Sequence, residues 1–280
     1  MPAGPLPKTD DHRPRGAAGW RALVVHPDRG AYVGLLGAPA WRVSGAIAIY
    51  GALGRPFRIR TRDSDWVESA LAVVPAGTVH RIASEERHIG CALVEQESVA
   101  PGALPCYLRE GPACPGDPGF GSRVLEAFHE LPRVAAGLRP EDFDTLFFSR
   151  PLEARRLDPR IAYAVRRVKE NASGALDAES LAAEVGLSFS RFLHLFTLEC
   201  GMPFRRFRAW KRARSFLTHV ARDTRMIDVA LDVGYPDPAH FSRSIRRFYG
   251  LTPSDIFAGS RGLPVFVQPG AREVRRIRPA

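Results

Sequence analysis

Two short runs in the C-terminal half combine small, polar and basic side chains at helical spacing. Ser190, Arg191, Leu193 and His194 form the first. Pro238, Ala239, His240, Ser242 and Arg243 form the second, with Arg246 and Arg247 one turn further on. Arginine can donate two parallel hydrogen bonds to guanine O6 and N7, worth about 1–3 kcal/mol of discrimination, and small residues let a helix come close to base edges. A guanidinium or ammonium beside such a face neutralises phosphate, which positions a protein on a duplex without specifying sequence. On this chemistry Ser190, His194, Ala239, His240, Ser242 and Arg243 are candidate base readers, Arg243 foremost. Arg191, Lys211, Arg246 and Arg247 are candidate phosphate contacts.

The elements that must carry these runs are written twice. Leu181 to Gly186 and Ile227 to Gly234 read as short apolar-periodic helices, each closed by a Val-Gly pair. The two pairs, Val185-Gly186 and Val233-Gly234, lie 48 residues apart. A glycine there permits the chain to turn. Ser188 and Asp237 then stand where an N-cap belongs. Beyond them Phe192, Leu195 and Phe196 share one helical face, as do Phe241, Ile245 and Phe248, so the basic runs face outward. Gly201 and Gly250 close the two copies. Between the copies, Met202 to Val220 reads as a long helix with Phe204, Phe207, Trp210 and Leu217 inward and a row of basic residues outward.

The repeated unit, with LAAEVGLSFSRFLHLF, GMPFRRF and VALDVGYPDPAHFSRSIRRFYGLTPSDIF, resembles the DNA-binding domain of the AraC/XylS family of transcription regulators. The resemblance implies two helix-turn-helix motifs joined by a long helix, over about residues 158–258. It also implies double-stranded DNA and RNA polymerase as partners, and activation as the usual outcome.

The charge distribution agrees. Net charge is +10, with 20 Lys and Arg against 19 Asp and Glu in residues 1–160, 15 against 10 in 161–260, and 5 against 1 in 261–280. The excess lies with the double motif and its tail, where phosphate has to be neutralised. No apolar run is long enough for a membrane span, and the Pro- and Gly-rich N-terminus lacks the apolar core of a signal peptide. Cys91, Cys106, Cys114 and Cys200 form no C-x-x-C pair. A cytoplasmic, reduced protein is expected.

From Trp20 to Val99 short extended runs alternate with turns: Ala31 to Leu36, Ser44 to Tyr50, Phe57 to Thr61, Trp66 to Val74, Val79 to Ile82 and His88 to Glu95. Such spacing predicts a sandwich or barrel. Pro75-Ala76-Gly77-Thr78-Val79-His80 resembles the P-x-G-x-x-H segment of cupin barrels, which AraC-type regulators often carry as their effector domain. Cupin enzymes hold a metal through a His-x-His pair. Here Arg81-Ile82 follows His80, so one ligand is visible, and one ligand is not a site. No metal, no other cofactor and no catalytic residue are expected. An effector pocket would draw on Trp41, Tyr50, Arg60, Trp66 and His80.

The predicted organisation is α+β. Residues 1–18 are disordered, 19–120 form a cupin-like sensory domain, and 121–157 a helical linker with a role in homodimerisation. Residues 158–258 form the helical DNA-binding domain, and 259–280 a disordered basic tail. The functional expectation is a sequence-specific transcription regulator controlled by a small molecule. Alternatives are a cupin-type metalloenzyme with a helical appendage, a DNA-repair alkyl-acceptor regulator, and a thiol- or metal-sensing regulator using Cys91, Cys106 or Cys114.

Overall fold

A computed structural model of the protein describes residues 21–104, 119–174, 176–220, 226–260 and 263–268. Cys106 and Cys114, the segment 1–18 and most of the tail lie outside the described residues.

The N-terminal half supplies β1 (Ala22–Val25), β2 (Arg29–Leu35), β3 (Arg42–Val43), β4 (Ile47–Gly51), β5 (Phe57–Thr61), β6 (Val67–Ser69), β7 (Leu71–Val74), β8 (Val79–Ala83) and β9 (His88–Val94). One sheet runs β10-β1-β2-β9-β4-β7, where β10 (Val265–Val267) comes from the C-terminal end. The other runs β3-β8-β5-β6. The two sheets make an open sandwich. Phe57 and Ile59 of β5 point into it, and Arg58 and Arg60 point out. This is the alternation of a strand with one wet face. β4 is buried along most of its length because both its faces are covered. Ala48 and Tyr50 meet the second sheet, while Ile49 meets helices on the other side.

Those helices are α1 (Phe120–Val134) and α2 (Pro140–Phe148). Val124, Phe128 and Leu131 of α1, with Phe143 and Phe147 of α2, share one core with β1, β2, β4, β7 and β9. The apolar faces of α1 and α2 are therefore spent inside the subunit. An ion pair pins α2 to the sheet: Arg29 Nε lies 2.6 Å from Asp144 Oδ1 and Nη2 2.8 Å from Oδ2.

The C-terminal half is α3 (Pro159–Glu170), α4 (Ala178–Glu184), α5 (Phe189–Cys200), α6 (Phe204–Ser215), α7 (Met226–Asp232), α8 (Pro238–Tyr249) and α9 (Pro253–Ser260). The connecting helix is shorter than the Met202 to Val220 reading: α6 has 12 residues, and a 3-10 turn, Phe216–His219, follows it. At 1.5 Å per residue α6 is about 18 Å long. The tail also departs from expectation. Val265–Val267 is not structureless but pairs in parallel with β1, Leu23 opposite Val265 and Val25 opposite Val267. Val-Phe-Val is a strand-forming triplet, and the β1 edge offers it unpaired backbone groups.

Candidate functional site

Local chemistry builds both helix-turn-helix units alike. The Asp177 carboxylate accepts from Ser180 N at 2.8 Å to start α4. Ser188 Oγ accepts from Arg191 N at 3.4 Å to start α5, and Asp237 Oδ1 accepts from His240 N at 2.7 Å to start α8. Each such cap satisfies a helical N–H that would otherwise lack a partner. The turns pass through Gly186 at φ 67° and Gly234 at φ 77°, where a side chain is strained. On α5 the buried residues are Phe192, Leu195, Phe196 and Cys200; on α8 they are Phe241, Ile245 and Phe248.

That packing leaves the opposite faces free. Ser190, Arg191 and His194 are exposed on α5. Ala239, His240, Arg243, Arg246 and Arg247 are exposed on α8, and Ser242 is half-buried. The His240 ring stands edge-on to Tyr235, 5.4 Å between centroids. One further side chain belongs to the first face. Phe189 opens α5 and is 51% exposed. An aromatic in an apolar-rich run reads as core, so nothing in the sequence singles it out.

Lys211 is not on this surface. It is 5% exposed, and its Nζ lies 2.6 Å from Glu95 Oε2 and 2.7 Å from Glu97 Oε1. The assignment to phosphate is corrected: α6 turns this side chain toward the sandwich, into a buried charge network. Trp210 Nε1 donates to Glu95 at 2.9 Å, Arg214 Nε lies 3.0 Å from Glu95 Oε1, and Lys169 Nζ lies 2.9 Å from Glu97 Oε1. Burial alone would raise the Glu97 carboxyl, but the Lys211 and Lys169 ammonium groups outweigh it and hold it at about 2. The connecting helix is thus clamped to the turn that follows β9.

The expected effector residues divide. Trp41, Arg60 and Trp66 lie on the outer face of the β3-β8-β5-β6 sheet, Arg60 stacked 5.5 Å from the Trp41 ring and 5.8 Å from the Trp66 ring. They do not line an internal pocket, because outward-pointing β5 positions face water. Tyr50 and His80 are internal and joined, Tyr50 Oη to His80 Nε2 at 2.9 Å. His80 Nδ1 lies 2.9 Å from the Thr78 carbonyl, so Nδ1 carries the proton and Nε2 accepts from the phenol. Burial lowers this imidazole to about 4. With both nitrogens engaged, His80 has no lone pair to offer a metal. Among the described residues no three His, Cys, Asp or Glu side chains converge as metal ligands. Burial pushes the Cys91 thiol up to about 12, leaving little thiolate to react at neutral pH.

Tyr50 does line a cavity of about 860 Å³ between the sandwich and the second helix-turn-helix. Leu23, Val25 and Leu93 wall it on one side, and Leu217, Val220 and Ile256 on the other. The size falls within the roughly 300–1,000 Å³ of small-molecule sites. Sequence reasoning missed the helical-domain wall and Arg42, since no local pattern announces a surface shared by residues two hundred positions apart. The same region has one continuous core, in which Val25, Val43 and Ala46 pack with Trp210, Phe216, Phe241 and Ile245.

Comparison with known proteins places this geometry. Residues 181–259 match a family described as a helix-turn-helix domain. Comparison with curated proteins gives no match. The structure of ToxT from Vibrio cholerae O395 superposes with a TM-score of 0.52 at 12% identity, over 85% of this chain and 100% of that one. ToxT from the same strain, bound to (E)-4-(8-methylnaphthalen-1-yl)but-3-enoic acid, gives 0.51 at 10% identity, over 82% and 98%. Residues 181–259 are therefore a helix-turn-helix domain, carried on a chain with the fold of ToxT.

Proposed function

We propose that the protein is a sequence-specific transcription regulator, and that a small molecule held between the sandwich and the second helix-turn-helix controls it. The observation that carries this reading is the pair of capped helices, α5 and α8, each packed on one side and presenting small, polar and basic residues on the other. Such a helix fits a major groove. Arg243 is assigned to guanine, with Ser190, His194, Ala239, His240 and Ser242 as further base contacts. Arg191, Arg246 and Arg247 are assigned to phosphate.

The cavity supports the effector half of the reading because the sandwich and the helices around α8 share its walls. Occupancy can bias DNA binding only if the effector binds the competing states unequally. The family resemblance favours activation through RNA polymerase, a homodimer and work in the cytoplasm. No described helix is long and apolar enough to cross a membrane. Neither His80 nor Cys91 supports the metalloenzyme or thiol-sensor alternatives.

Selection from a random duplex pool, followed by anisotropy titration of the selected and scrambled sites, tests the proposal. Arg243→Ala should cost about 10- to 100-fold on the selected site and far less on scrambled DNA. Arg246→Ala should weaken both alike and flatten the salt dependence by about one charge. No enriched sequence from the pool would rule out sequence-specific binding.

A further inference from the structure

The outer face of the β3-β8-β5-β6 sheet carries cations that no carboxylate answers. Arg60 on β5 stands directly opposite Arg81 on β8 in the antiparallel register. Continuing the neighbouring registers, Trp41 falls opposite Arg81 at one end and Trp66 opposite Arg60 at the other. The result is a row, Trp41-Arg81-Arg60-Trp66, across all four strands, about 14 Å wide. Ring contacts follow the same line. Arg81 lies 5.2 Å from the Trp41 centroid, Arg60 5.5 Å from the same ring and 5.8 Å from Trp66, and Arg58 5.6 Å from Trp66.

Like charges directly opposite one another destabilise a strand pair. The ring faces attract the guanidiniums and offset part of that repulsion, but they add no negative charge. Among the described residues no carboxylate forms an ion pair with Arg58, Arg60 or Arg81, although Glu68 stands opposite Arg58. Arg60 and Arg81 reach the backbone carbonyls of Thr61 and Pro39, and Arg81 Nε has no hydrogen-bond partner. Further along the same face Val43 and Val79 are covered, packing with Trp210 and Phe248. That cover stops short of the row: Arg58 is exposed, and Trp41, Arg60, Trp66 and Arg81 are half-buried.

We propose that this row docks an acidic, extended segment of a partner protein, an interaction separate from the DNA and effector assignments. Tryptophan and arginine are the residues that most often dominate protein interfaces. Arg58 and Arg60 lie about 7 Å apart on one side of β5, the spacing of alternate side chains in an extended chain. Two carboxylates two residues apart can therefore meet Arg58 and Arg60, with Arg81 beside the second. A guanidinium lying over a ring keeps its in-plane N–H donors for a carboxylate. It also covers the ring, which disfavours the base stacking that a single-stranded nucleic acid would need.

Anisotropy titration at physiological salt tests this with a labelled peptide alternating Glu and Thr, its counterpart with Gln for Glu, and labelled oligo-dT. Wild-type protein should bind the Glu peptide and discriminate against the Gln peptide. In Arg60→Gln/Arg81→Gln the Glu-peptide affinity should fall by about ten-fold or more. Arg133→Gln/Arg139→Gln, which removes as much charge from exposed positions on α1 and at the start of α2, should change it little. Should the first variant not fold, Arg60→Lys keeps the charge, loses the planar donors and should give an intermediate loss. No binding of the Glu peptide, or an equal loss in both double variants, overturns the proposal. So does oligo-dT binding tighter than the peptide and lost with Arg60 and Arg81, which would make the row a nucleic-acid face.

Discussion

His80 carries a pH signature that follows from its two hydrogen bonds. Its neutral ring is fixed between Thr78 and Tyr50, and burial lowers it from 6.5 to about 4. Between those values the unfolded chain binds a proton that the folded chain refuses. The folded state therefore loses stability as pH falls from about 6.5 to about 4, by up to roughly 3 kcal/mol. His80→Asn removes the titrating ring, so its melting temperature should fall less than that of wild type across that interval. Parallel wild-type and variant curves from pH 7 to 4.5, by circular dichroism, would show that the ring does not titrate as described. Glu97 acts lower down. Held at about 2, it contributes stability that is present above the ordinary carboxylate value of 4.5 and lost as pH falls toward 2.

Among the elements, the two helix-turn-helix turns look equivalent in sequence and differ in structure. Gly186 and Gly234 both sit at positive φ, but a methyl group at Gly186 meets nothing within 4 Å, whereas one at Gly234 would come 2.2 Å from the Ser173 carbonyl oxygen. Gly186→Ala should cost about 1 kcal/mol of strain, and Gly234→Ala clearly more, because backbone must also move. Equal losses in chemical denaturation would contradict the close approach of Ser173, in the turn after α3, to Gly234. This contrast marks what was legible in the chain. Caps and turn glycines act within four residues, so Ser188, Asp237, Gly186 and Gly234 announce their roles. So does the alternation of β5, whose inward and outward residues follow one another directly. Lys211 could not be placed this way, since its partners Glu95 and Glu97 lie more than a hundred positions back. Trp41, Arg60 and Trp66 were drawn to a pocket by residue type alone, and the parity of β5 sends Arg60 outward. For β10 three residues carry no periodicity, and the edge that recruits them is at the other end of the chain.

At the scale of the molecule the sandwich and the helical domain behave as one packed body, held by a shared core and by the Glu95, Glu97, Lys211, Lys169 and Arg214 network. Removing one partner of a buried pair leaves the other uncompensated, so Lys211→Met should destabilise the protein by about 3–5 kcal/mol. Adding Glu97→Gln should recover part of that loss, because Arg214 still pairs with Glu95 and Lys169 with Asp28, so no charge of the cluster is left uncompensated. A double variant no more stable than Lys211→Met would mean that the charges contribute little.

The parallel pairing of β10 with β1 alters the mechanics of any switching. The helical domain leaves the sandwich at α3 and returns to it at β10, like a bucket handle with both ends riveted to the same rim. It cannot swing out about a single pivot. Either its excursions are small, or the β10 rivet must shear first, breaking a three-residue ladder before the larger core is disturbed. Cutting the chain after Ser260 should therefore remove one of the two chain-end attachments while the shared core and the Glu95 and Glu97 network remain. The truncated protein should melt at a lower temperature than the full chain, while α3 to α9 keep their helical signal.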